Sequence, residues 1–159
     1  MLDAEKQSRQ EWATPEDFLF AVSREFLINI DVCASPGNCV VPDFYTRETN
    51  GLVQSWFPYD IKTAWCNPGF SSAREWVVKA VAEVQCSAGA TAILILPCAP
   101  STKWWDYAVN CGAEIRLLSP RVQFVAPPGI AQTSNPRENA LLIFRSGILE
   151  SKTWTWRWK

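Results

Sequence analysis

The run with the clearest chemical potential in this chain is Asn67-Pro68-Gly69-Phe70. An asparagine side-chain carbonyl and the backbone carbonyl of the following proline set two hydrogen-bond acceptors side by side. Two acceptors on the two hydrogens of a planar amine would localise its lone pair, and each bond would strengthen as positive charge grows on nitrogen. An aromatic ring beside them would hold a flat heterocycle by stacking, contributing ~1–3 kcal/mol. An ordinary turn after a strand also accounts for the tetrapeptide, because Asn-Pro and Pro-Gly are common turn pairs. The chain contains no histidine, which excludes Ser-His-Asp and Cys-His catalysis and any His-ligated metal. The chemistry must therefore work without an imidazole.

The elements around this run are partly legible. Thr63 to Cys66 is a short apolar strand that stops at the proline and glycine. Ser72-Ala73-Arg74-Glu75 has the capping-box pattern, and Trp76, Val77, Ala80, Val81 and Val84 give the apolar face of the helix that it opens. Upstream, Thr14-Pro15-Glu16-Asp17 predicts a helix start with Thr14 as cap and Pro15 in the first turn, and Phe18, Leu19, Val22 and Phe26 follow on one face. Leu27 to Val32 predicts a strand, and Ala34 to Asn38 a turn. The stretch from Pro42 to Pro58 has little periodicity and is expected to be loop with short elements.

Downstream, Thr91 to Leu96 predicts a buried central strand, and Ser101 the cap of a further helix. Ile115 to Leu118, Val122 to Val125, Ala140 to Phe144 and Thr153 to Trp158 are strand-like. The alternation predicts an α/β fold: a three-layer, Rossmann-like sheet, mostly parallel with antiparallel C-terminal edge strands. Ligands of such sheets bind beyond the carboxyl ends of strands, which is where the loops after Asp31, Cys66 and Leu96 would open.

With 159 residues, 48% of them hydrophobic, the chain is expected to form a polar extension over residues 1–11 and one domain over 12–159. A net charge of −1 argues against a protein that coats nucleic acid, so any contact with DNA must be local. The six cysteines form no Cys-x-x-Cys pair and suit reduced, buried thiols rather than a zinc site, so no metal is expected. No segment has the ~20 apolar residues of a membrane span. A cytoplasmic protein is expected, and nothing in the sequence sets an oligomeric state.

The order Trp12-x-Thr14-Pro15, Ile30-Asp31-x-x-Ala34-Ser35, then Trp65-x-Asn67-Pro68-Gly69-Phe70-Ser71, resembles the DNA adenine-N6 methyltransferases of phages and prophages, the Dam-like family. Leu96-Pro97, Ser101-x-x-Trp104, Arg121-x-x-Phe124 and Asn139 to Phe144 extend the match to about residues 12–145. The chain departs from the pattern at Gly69, where the family has a second proline, and at Asn50, where similar sequences have aspartate.

The resemblance implies S-adenosylmethionine as methyl donor and a flipped adenine in DNA as acceptor. It implies Asn67, Pro68, Gly69 and Phe70 as the catalytic loop. Trp12, Thr14, Pro15, Asp31, Ala34 and Asn50 are implied on the cofactor side, and Ser71, Arg121 and Phe124 on the substrate side. With no separate target-recognition domain, short or relaxed sequence preference is expected, in a bacterial host cytoplasm if phage-encoded. Plainer roles stand beside these: a helix cap for Thr14, a loop-capping carboxylate for Asp31, an exposed strand arginine for Arg121. Trp154, Trp156 and Trp158 share one strand face and fit either a DNA-stacking surface or, better, a cover for the core. Related loops also serve methyltransferases acting on RNA or a protein amide, and a non-catalytic nucleic-acid-binding relative is a further alternative.

Overall fold

The computed structural model describes residues 11–159, so the polar extension expected over 1–11 lies almost wholly outside the described residues. Helix α1 spans Glu16–Ser23, β1 Ile30–Asp31, β2 Thr63–Cys66, α2 Ala73–Cys86 and β3 Thr91–Pro97. Then follow α3 Lys103–Asn110, β4 Glu114–Ser119, β5 Asn139–Arg145 and β6 Lys152–Arg157.

The strands form one six-stranded sheet in the order β1-β2-β3-β5-β4-β6. The β1–β2, β2–β3 and β4–β6 pairs are parallel, and β5 runs antiparallel to both β3 and β4. The expected α/β sheet, mostly parallel, is thus present, but its reversed strand lies inside rather than at the margin. Burial explains the placement. Ala140 to Phe144 are all at most 1% exposed, so this strand is apolar on both faces and needs neighbours on both sides. The exposed β6 takes the edge instead.

Successive residues of the central strands face opposite layers. Ala64, Cys66, Leu94, Leu96, Leu142 and Phe144 join one cluster, together with Trp76, Val77 and Ala80 of α2 and Trp105 and Ala108 of α3. Trp65, Ile93, Ile95, Leu141 and Ile143 join the other, with Phe18 and Val22 of α1. Each fully buried large side chain contributes roughly 1.5–3 kcal/mol. Trp156 and Trp158 meet Phe18 with ring centroids 5.9 and 5.0 Å apart. Two of the three C-terminal tryptophans therefore cover the core, and Trp154 lies over the Arg116 guanidinium at 5.1 Å.

Several local expectations are corrected. Pro15, not Thr14, is the N-cap of α1, and no side chain caps that helix. Ser72 makes no capping bond because its hydroxyl donates to the Gly69 carbonyl at 2.9 Å. Thr102 rather than Ser101 precedes α3, and its hydroxyl donates to Ala99 O. The first strand shrinks to two residues because Leu27 is 81% exposed and finds no place in the sheet. Val122 to Val125 is not a strand; only Val125 pairs, in an isolated bridge to Ala13.

At the amino end of β4, far from the carboxyl ends of the parallel strands, Arg116 is buried between two carboxylates. It donates to Glu25 at 2.6 and 2.7 Å and to Glu114 at 2.7 Å. Burial disfavours the charged form of Glu114, but bonds from Arg116, Arg145 and Lys152 outweigh it and hold the carboxyl below its ordinary range. The cavity of about 440 Å³ beside this network is lined in part by Glu25, Glu114, Arg116, Arg145 and Lys152, which are already paired with one another. It is part of the fold's ionic scaffold.

Candidate active site

β2 delivers Asn67 to the carboxyl edge of the sheet, and Pro68 blocks any continuation of the strand. Gly69 has φ −58° and ψ 133°. Its carbonyl accepts from both the backbone N–H and the hydroxyl of Ser72. The chain turns there through a single 3-10 turn, Phe70–Ser72, into α2.

The Asn67 amide nitrogen donates to the Trp12 carbonyl at 3.4 Å and to Thr14 Oγ1 at 3.2 Å. A planar amide whose nitrogen faces one way has its oxygen facing the other. Neither Asn67 Oδ1 nor the Pro68 carbonyl accepts a hydrogen bond from any described residue. These two acceptors, on neighbouring residues, thus have no partner among the described residues.

The half-buried Phe70 ring meets that of Phe124, which is itself buried. Ala13 and Val125 exchange two backbone hydrogen bonds of 2.9 Å. This bridge brings the Trp12–Thr14 segment, Asn67, Phe70 and Phe124 together from three distant parts of the sequence. Arg121 is exposed; it pairs with Glu138 and donates to Asn135 O at 3.1 Å, tying the segment before Phe124 to the loop that leads into β5. Ser71 is exposed in the 3-10 turn.

A cavity of about 490 Å³ reaches Gly69 and Ser72 of the loop. Ala34 and Asn50 line it, as do Glu11, Cys33, Arg47 and Trp76, which sequence reasoning did not pick out. Only Trp76 had a local signal, its place on the helix face; the others sit in segments without periodicity. Trp12, Thr14, Pro15 and Asp31 do not line it.

Asp31 lies just behind the lining. Its oxygens accept the backbone N–H groups of Cys33 and Val40, each at 3.2 Å, which shapes the loop after β1. Burial raises its pKa to about 6, against the lowering effect of those two bonds. Asn50 has φ 54°, the left-handed region that asparagine tolerates better than most residues, and its Oδ1 accepts from Leu52 N at 3.2 Å. A Cβ on Gly51 would fall 2.0 Å from the Val32 carbonyl. Only glycine lets this loop close over the end of β1.

An open α/β sheet with a cavity beyond β1 and an Asn-Pro-Gly-Phe loop beyond β2 is consistent with a methyltransferase fold of the Rossmann-like class. The chain belongs to the DNA N-6-adenine-methyltransferase (Dam) family, whose model matches residues 3–155. It is 27% identical over 146 residues to the DNA N-6-adenine-methyltransferase of Haemophilus phage HP1 (strain HP1c1), covering 89% of this chain and 82% of the phage protein. Among the described residues, no helix is long and apolar enough to cross a membrane.

Proposed function

We propose that this chain transfers a methyl group from S-adenosylmethionine to the exocyclic amine of adenine in DNA. The observation that carries the proposal is the orientation of Asn67: its nitrogen is tied back to Trp12 and Thr14, and Oδ1, like the Pro68 carbonyl, has no partner among the described residues.

The cavity suits the donor in size and charge. Its volume of about 490 Å³ falls in the range of small-molecule sites. Glu11 and Glu48 offer negative charge and Arg47 positive charge, matching an ammonium, a sulfonium and a carboxylate, and Trp76 supplies an aromatic wall. When bound, S-adenosylmethionine supplies a methyl on positively charged sulfur, and the new C–N bond forms as the C–S bond breaks. Asn67 Oδ1 and Pro68 O accept the two amine hydrogens, restoring to the nitrogen a lone pair otherwise delocalised into the ring. They stabilise the positive charge that develops there, and the surplus proton then leaves to water. Phe70 stacks on the base, which must leave the duplex because pairing engages the amine.

Recognition of DNA is local, consistent with the net charge of −1, and the described strands all belong to one sheet. Short or relaxed sequence preference is part of the proposal, and sequencing of modified DNA checks it.

The experiment is mass spectrometry of deoxynucleosides from DNA incubated with the protein and S-adenosylmethionine. N6-methyldeoxyadenosine is expected. Asn67→Ala is expected to lower turnover at least ~100-fold, as for other lost transition-state hydrogen bonds, while calorimetry shows cofactor binding near that of the wild type. Absence of the modified nucleoside, or wild-type turnover in Asn67→Ala, would falsify the reading.

A further inference from the structure

We propose that Thr14 is a positioning residue, whose hydroxyl acts with the Trp12 carbonyl to lock the Asn67 amide in the one orientation that turns Oδ1 toward the acceptor amine. The inference rests on the role given above to Asn67 and assigns Thr14 a task distinct from both helix capping and cofactor contact.

A primary amide is nearly symmetric in shape, so rotation by half a turn exchanges its oxygen for its NH2 group at little steric cost. For an amine acceptor the two orientations are opposite in effect. Oδ1 outward receives an N–H; the NH2 outward sets donor against donor. The local surroundings decide between them. The Trp12 carbonyl can only accept, so a flipped Asn67 would face oxygen to oxygen there. That contact, at 3.4 Å, is the longer of the two, and the 3.2 Å bond to Thr14 Oγ1 completes the pair.

Thr14 is placed for this task. It is 7% exposed, yet it caps no helix, because Pro15 holds the N-cap position without a side-chain bond. Its neighbour Ala13 is fixed by both hydrogen bonds of the bridge to Val125. The two acceptors flank that anchored residue, one on each side, and cannot drift independently of the sheet. The lock also sets specificity: the loop holds atoms bearing hydrogen, such as an exocyclic amine, and gives no hold on a bare ring nitrogen.

The test compares Thr14→Val, which keeps the shape and removes the acceptor, with Thr14→Ser, which keeps the hydroxyl. Thr14→Val is expected to lower kcat for DNA methylation about tenfold, the scale of one lost hydrogen bond, with the Kd for S-adenosylmethionine and the melting temperature close to wild type. Thr14→Ser is expected to recover most of the rate. Added to Asn67→Ala, Thr14→Val should slow the enzyme no further. Wild-type kcat in Thr14→Val, or weakened cofactor binding with kcat intact, overturns the proposal. If Thr14→Val unfolds, Thr14→Ala and Thr14→Ser decide: equal rates in those two overturn it. If Asn67→Ala itself turns over normally, the reading of Asn67 has failed, and not merely the lock.

Discussion

The ring of Phe124 meets that of Phe70 edge-on, with centroids 6.3 Å apart and planes inclined by 66°. Phe124 is buried, whereas Phe70 is half-exposed at the loop that carries Asn67. The inner ring thus sets the angle of the outer one, the surface that the proposed function offers to a base.

Loss of that contact should be felt in DNA binding before it is felt in the fold. Phe124→Leu keeps an apolar side chain in the cluster and removes an aromatic pair of about 0.5–1.5 kcal/mol. KM for DNA is expected to rise by a factor of roughly two to ten, with KM for S-adenosylmethionine unchanged, as steady-state kinetics with each substrate varied would show. A rise in the cofactor KM alone would place Phe124 on the wrong side of the loop.

Gly69 already has a backbone conformation that proline would adopt. Its φ of −58° lies inside the range that the pyrrolidine ring enforces, and its N–H donates to no described residue. Gly69→Pro should therefore stabilise the protein by about 0.4–1 kcal/mol, by restricting the unfolded chain. A melting temperature a few degrees higher and a kcat at or above wild type are expected. A lower melting temperature would show that the loop conformation differs.

Asp31 should leave a signature in the pH dependence of stability. Its pKa is about 6 when folded, because of burial, against 3.8 for an unperturbed aspartate. Between these values the folded state keeps a proton that the unfolded state has lost, so this group's contribution to stability falls as pH rises from about 4 to about 6 and is level above. The change is roughly 3 kcal/mol at most. Denaturant unfolding of wild type and Asp31→Asn across pH 4 to 8 isolates it, because other carboxylates cancel in the difference. Parallel profiles for the two proteins would remove the buried-acid account.

How far the sequence discloses such a site depends on the range of the interactions. The Asn67-Pro68-Gly69-Phe70 loop was legible because Thr63 to Cys66 forms a short apolar strand and proline and glycine end it, all within eight residues. The 53-residue separation of Thr14 from Asn67 left no such trace: a threonine before a proline looks like a helix cap, and only tertiary contact makes it an amide partner. Ser72 repeats the lesson, since its capping-box spacing is correct but its hydroxyl donates to Gly69 instead. The strand at 140–144 was visible as an apolar run, but its reversal between β3 and β4 was not, because apolarity carries no direction. Val122 to Val125 looked like a strand for the same reason, and only Val125 found a partner.

That partner is Ala13, and the two hydrogen bonds between them act as a latch with two dependents. On one side the latch sets the segment that aims Asn67; on the other it sets the ring behind Phe70. Peeling residues 12–14 away would release the amide and loosen the Phe70 ring in a single event. Whether the enzyme is armed can therefore be followed from two backbone protons, those on Ala13 and Val125, through their rate of exchange with solvent.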